Sequence, residues 1–192
     1  MPRPSQQHAI LAAALQCFAE RGYDGTPVKQ IAERAGVTTG AIYRHFPSKE
    51  ALAQTLYGQC MRLYSDALRQ AADGAGPVRG RLESALRAAL ALYRANPDAM
   101  TFALLRQHSF MPALPADFVY PIGVIEGLIA EGQRLGQVRD GDAKLLAAIS
   151  AGCLLRPLIV SQLAAAGSFD PLEDGRHDDT IVTAAWSAVA AR

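Results

Sequence analysis

The chain has 192 residues, half of them hydrophobic, with 19 Lys and Arg against 18 Asp and Glu. That length supplies one sizeable core, or a small headpiece on a larger body, and a charge so near balance gives no bulk electrostatic sign of a nucleic-acid partner. Three cysteines, Cys17, Cys60 and Cys153, are odd in number and widely spaced, which argues against a disulfide scaffold or a metal cluster and fits a reducing cytoplasm.

The start, MPRPSQQ, has no apolar signal core. A first helix is predicted over residues 5–21, where Ile10, Ala14, Cys17 and Phe18 repeat on one face. Gly22 ends it and Tyr23-Asp24-Gly25 makes a turn. Thr26 is a good N-cap for a second helix, with Pro27 at its first position. Val28, Ile31, Ala32 and Ala35 form its buried stripe, and Gly36 suits its end. Thr38 caps a third helix with an apolar back of Ala41, Ile42 and Phe46. Its front holds Thr39, Gly40, Tyr43, Arg44 and His45, which are small, hydrogen-bonding or cationic. A short helix of that kind is shaped to enter a DNA major groove. Any helical hairpin with a glycine turn would account for the turn alone. Phe18, Ile31, Ile42 and Phe46 are the expected core of the three-helix unit.

Ser48 is the N-cap of a fourth helix, which puts Lys49 in its first turn. A cation there opposes the helix dipole. A phosphate docked at that end would remove the conflict. The alternative is a solvated lysine paired with an acid such as Glu50. Residues 1–50 hold six basic residues (Arg3, Arg21, Lys29, Arg34, Arg44, Lys49) and four acidic ones (Glu20, Asp24, Glu33, Glu50). Affinity for DNA therefore has to come from placement, and should be salt-sensitive.

Every later segment also reads as helix: 49–72, 78–95, 98–108, 117–135, 142–166 and 180–191, separated by Gly- and Pro-bearing loops. Strand-like alternation is absent, so the predicted class is all-α with about nine helices. The apolar run 145–163 is broken by Arg156-Pro157 and is read as a buried helix, not a membrane span. Leu145, Ile149, Cys153, Leu158, Ile159 and Leu163 cover more than one stripe of it, and the last helix shows Ile181, Val182, Ala185, Trp186 and Val189. A helix apolar on two faces needs two partners, either within one subunit or from a second one. Arg156, set among apolar residues, can cross such an interface, line a cavity or reach solvent.

The uninterrupted block G-V-T-T-G-A-I-Y-R-H-F-P-S-K-E, preceded by A-x-x-x-F-A-E-R-G-Y-D-G-T-P-V, resembles the DNA-binding headpiece of the TetR family of transcriptional repressors over roughly residues 8–56. The resemblance implies a helix-turn-helix domain over residues 1–48, and a helical domain for ligand binding and dimerisation over 49–192. It implies that Thr26, Thr38, Tyr43, His45 and Lys49 hold the DNA backbone, while Thr39, Gly40 and Arg44 face bases with Ala41 beside them. Many relatives carry Lys or Arg where this chain has Thr39. Arg44 can pair with a guanine, contact another phosphate or join a salt bridge. The resemblance further implies a homodimer built from the last two helices, through Leu145, Ile149, Cys153, Arg156, Ile181 and Trp186. A small, mostly apolar effector would lie among the later helices, for which Tyr57, Met61, Tyr64, Tyr93, Met100, Leu104 and His108 are candidates, although such stripes equally build ordinary core.

The expected protein is thus a cytoplasmic, dimeric repressor of palindromic operator DNA, released by its effector, with no cofactor, metal or membrane partner. A regulator without operator release and a helical interaction module are the alternatives. An enzyme finds no support, since G-x-S-x-G, a phosphate-binding glycine loop and H-E-x-x-H are all missing.

Overall fold

The computed structural model describes residues 5–110, 114–115, 117–164 and 168–191, with 104–110 in backbone only. Nine α-helices account for most of them: α1 Gln6–Arg21, α2 Val28–Ala35, α3 Thr39–His45, α4 Lys49–Ala72, α5 Val78–Ala95, α6 Pro97–Phe110, α7 Pro121–Arg134, α8 Ala143–Leu163 and α9 Asp178–Ser187. Among the described residues the only extended pairing is an isolated antiparallel bridge between Val138 and Ala190. The class is all-α.

The chain forms two compact units, Met1–Met61 with Asn96–Phe118, and Arg62–Ala95 with Val119–Arg192. Helix α4 gives its first half to one and its second half to the other.

In the first unit α1 packs against α2, α3 and α6. Ile10, Phe18, Ile31, Ile42, Phe46 and Leu52 are buried there, which includes all four residues expected as core. Phe18 also stacks on Phe102 of α6, with ring centroids 5.5 Å apart and planes 15° from parallel. Local periodicity cannot signal a partner so distant in the chain.

In the second unit α8 packs against α7 and α9, and α5 against the same two. Leu82, Leu86, Leu90, Ile129, Leu158 and Val182 are fully enclosed. Gly132 permits a close approach: a Cβ there would lie 2.5 Å from Val138 Cγ2 and 3.2 Å from Val78 Cγ1. Arg94 grips Asp178 through two hydrogen bonds of 2.9 and 2.5 Å, and Arg87 reaches Asp179 at 2.6 Å. These pairs pin the start of α9 to α5, and the two carboxylates suit the positive end of the α9 dipole.

Several boundaries differ from expectation for identifiable reasons. Helix α7 begins at Pro121, not at 117, because a proline fits the first helical turn and disfavours helical backbone at the residue before it. Pro97 likewise opens α6. Helix α9 starts two residues early, at the dipole-compatible Asp178, and ends at Ser187. Helix α8 stops at Leu163; the expected extension to 166 runs into residues outside those described.

Helix α8 is long and apolar enough to cross a membrane by length and composition alone. The expectation of a buried helix holds for one face only. Leu146, Ala147, Ala151, Leu154 and Leu158 are buried, whereas Leu145 is 60% and Leu163 79% exposed, with Ile149 and Leu155 also open.

Candidate nucleic-acid interface

The geometry of α3 follows from its ends. Gly36 sits in the left-handed region (φ 67°, ψ 31°), so the amides of Gly36 and Val37 turn back to donate to the Glu33 and Ala32 carbonyls at 3.2 and 3.0 Å. The Thr38 hydroxyl accepts from the Ala41 amide at 3.1 Å, as an N-cap should. Ala41, Ile42 and Phe46 are buried behind the helix. On the other side Thr38, Gly40, Tyr43, Arg44 and His45 are exposed and Thr39 is half-exposed. Tyr43, at 49%, is among the most exposed aromatic residues. A Cβ placed on Gly40 would meet only Thr38 Oγ1, at 3.9 Å. The fold therefore does not require glycine there; its effect is to leave the helix surface flat and approachable.

The flanks hold this surface in place. Gln6, at the start of α1, lies 3.0 Å through Oε1 from His45 Nε2. The Ser48 hydroxyl accepts from Ala51 N at 3.0 Å and caps α4. Lys49 Nζ stands 4.4 Å from the centroid of the Tyr23 ring. On α2 the cations are already matched with acids. Arg34 binds both carboxylate oxygens of Glu20, at 2.7 and 2.9 Å, and that hydrogen-bonded guanidinium holds the Glu20 carboxyl below its ordinary range. Lys29 faces Glu33 at 3.9 Å. Among the described residues no acid comes within ion-pair distance of Arg44, so the salt-bridge alternative for it finds no partner here.

Two expected DNA contacts are structural instead. Thr26 is fully buried, with its hydroxyl 2.7 Å from the Gly22 carbonyl oxygen and 3.0 Å from that of Cys17. Its one proton is spent closing the end of α1, and Pro27 takes the N-cap place of α2 without a side-chain bond. Ala41 faces the headpiece core. In the other direction, Gln6 and Tyr23 belong to this site, and sequence reasoning missed both. Their contacts are long-range, and the one available signal for Tyr23 was an aromatic residue in a turn.

Five of the seven residues expected to line an effector pocket are buried. Tyr57, Met61 and Met100 are buried in the first unit, and Tyr64 and Tyr93 in the second, where the Tyr93 hydroxyl donates to Ser161 Oγ at 3.2 Å. The side chains of Leu104 and His108 lie outside the described residues. An open groove of about 780 Å3 in the second unit, lined by Arg69, Arg81, Val119, Gly123 and Glu131 among others, shares no residue with that set. Of the expected dimer face, Leu145, Ile149 and Arg156 are exposed and Cys153 and Trp186 half-exposed. Ile181 is buried within its own unit.

An all-α chain with a capped, polar-fronted helix-turn-helix and a separate helical unit has the architecture of a transcription regulator. A family model described as bacterial regulatory proteins, tetR family, matches residues 10–56. The HTH-type transcriptional regulator RutR of Escherichia coli (strain K12) is 30% identical over 139 residues, 71% of this chain and 64% of that protein. The HTH-type transcriptional repressor BepR of Brucella suis biovar 1 (strain 1330) is 36% identical over 104 residues, 53% of this chain and 49% of its own length. The chain thus spans less than two thirds of either curated relative. The crystal structure of AibR in complex with isovaleryl coenzyme A and operator DNA superposes with a TM-score of 0.70 over 95% of this chain and 97% of that one, at 21% identity, a likeness of fold. Residues 10–56 carry the tetR-family domain of bacterial regulatory proteins, and the chain shares the fold of a solved tetR-family regulator from Shewanella sp. PV-4.

Proposed function

We propose that this regulator represses transcription from the cytoplasm as a dimer, each subunit setting α3 into one half of a palindromic operator. The observation that carries the proposal is the outer face of α3, where Thr38, Gly40, Tyr43, Arg44 and His45 stand exposed on a helix capped at its start and buried along its back. Residues 1–48 take the DNA-reading role. Thr38, Tyr43, His45 and Lys49 hold phosphates, and Thr39, Gly40 and Arg44 face bases. Residues 49–192 take dimerisation and effector binding. The exposed apolar face of α8, with Leu145, Ile149, Cys153 and Arg156, and Trp186 from α9, meets its copy. Pairing answers a physical need, because one short helix touches too few bases, whereas two about 34–36 Å apart read successive major grooves. BepR is named a repressor, which supports that direction of control.

Selecting bound fragments from genomic DNA in the presence of competitor tests this directly. A two-fold symmetric consensus is the expected result; fragments without a shared sequence would reject it.

Release by a small, mostly apolar effector extends the proposal. An effector that favours the form unable to span two grooves would weaken operator binding, and α4, shared by both units, is the element for it to bias. AibR was crystallised with isovaleryl coenzyme A and operator DNA, which makes acyl thioesters the first probes. The dense burial of Tyr57, Met61, Tyr64, Tyr93 and Met100 favours a second reading, a regulator that needs no small effector. Operator affinity that falls with a stabilising ligand supports release; affinity blind to every ligand that raises the melting temperature supports the second reading.

A further inference from the structure

Resting on the proposal that Lys49 holds a DNA phosphate, we infer that Tyr23 is the positioning residue for that contact: its ring face holds the Lys49 ammonium at the start of α4, where phosphate would dock. Lys49 is the first residue of α4, and its Nζ lies 4.4 Å from the Tyr23 centroid. That distance is well inside the range over which an aromatic face attracts a cation. A cation at a helix start otherwise works against the exposed amides and the dipole. A long, flexible lysine also loses rotamer freedom when it must meet an anion. The negative face of the ring addresses both problems, since it offsets the unfavourable field and limits where the ammonium goes before DNA arrives.

The ring is itself well anchored. Tyr23 packs on Phe18 at 5.4 Å with planes 53° apart, and Phe18 stacks on Phe102. Phe18 and Phe102 are each 4% exposed, so two buried rings from α1 and α6 fix the platform on which Lys49 rests. The turn carrying Tyr23 is fixed as well. A Cβ on Gly25 would stand 2.6 Å from the Arg21 carbonyl oxygen, and Thr26 ties the same turn to α1. Tyr23 is thus held by packing, and Lys49 is held by Tyr23.

The test uses a mixed-sequence DNA duplex as probe and a salt titration, because phosphate contacts set the slope of affinity against salt. Lys49→Met should make that slope shallower by about one and weaken all sequences alike. Tyr23→Leu should weaken binding about two- to fivefold, the factor corresponding to an exposed cation–aromatic pair. Tyr23→Phe should bind like the unsubstituted protein. Tyr23→Leu combined with Lys49→Met should be no weaker than Lys49→Met alone. Effects that simply multiply would overturn the positioning role, as would a Tyr23→Phe protein as weak as Tyr23→Leu. An unchanged slope in Lys49→Met would instead overturn the phosphate contact itself. Should Tyr23→Leu fold poorly, the unsubstituted protein still decides: upfield ring-current shifts of the Lys49 Cε protons support the inference, and their absence overturns it.

Discussion

Helices α3 and α8 both turn one face to solvent, and the two faces differ in kind. The open face of α3 is polar, flat at Gly40 and carries Arg44 with no acid beside it among the described residues. The open face of α8 is apolar, with Leu145 60% and Leu163 79% exposed. A polar, cation-bearing face is satisfied by water or by a polyanion and costs little when left bare. An apolar face is covered at a gain of about 25 cal/mol per Å2, so it marks a surface for another protein. On the proposed function the α3 face takes DNA and the α8 face a copy of the chain, so substitutions in the two should fail in different ways.

The largest effect should come from α8. Leu145→Glu with Ile149→Glu puts two charges on the exposed face without touching the core. Sedimentation should then show a monomer, and affinity for a full operator should fall on the order of 100-fold, since both half-sites must be held at once. A dimer of undiminished affinity would show that this face is not the interface.

Two glycines sharpen the contrast between fold and function. Gly132→Ala, forced against Val138 and Val78, should destabilise the protein by about 1–3 kcal/mol in a denaturant titration. Gly40→Ala should melt like the unsubstituted protein yet bind operator less tightly, because its added methyl makes only an ordinary contact with Thr38 Oγ1 within the fold and otherwise faces the side proposed for the duplex. Arg44→Ala should cost about 1–3 kcal/mol at one base position and relax the preference there, as read from a competition series over single-base operator variants.

Thr26→Val tests the reassignment of a residue first placed on the DNA. Loss of its hydroxyl should cost about 1 kcal/mol of stability and leave the salt slope of DNA binding unchanged. The smallest effect concerns Cys60, whose burial pushes its thiol up to about 12 from 9.0. Alkylation at pH 8 should therefore spare Cys60 and reach the half-exposed Cys153. A folded-state value above the unfolded one means that the contribution of this thiol is fully present below about pH 9 and declines as pH rises from there toward 12. A Cys60→Ala protein should lack that alkaline decline.

Legibility in the sequence followed the range of the interaction. The apolar stripes of α1 and α3, the Gly36 turn and the Thr38 and Ser48 caps join residues one or two helical turns apart and stand as predicted, whereas the α2 stripe is buried only at Ile31 and Ala32, with Val28 and Ala35 half-buried. Helix α7 starts at Pro121, four residues later than predicted, because proline disfavours helical backbone at the residue before it. Thr26 shows a different limit. Its hydroxyl can serve the helix ahead or the helix behind, and only folded geometry shows that it turns back to Gly22. Ile181 shares its apolar character with Leu145, and nothing in a single sequence separates an inward face from an outward one. The Phe18–Phe102 stack and the Gln6–His45 contact join distant residues and left no local trace.

The most direct test of paired reading compares a full palindrome with an isolated half-site, using the unsubstituted protein and the Leu145→Glu, Ile149→Glu variant. The unsubstituted protein should strongly prefer the palindrome, and the variant should bind both equally weakly. Equal affinity of the unsubstituted protein for both duplexes would contradict two copies of α3 acting together on DNA.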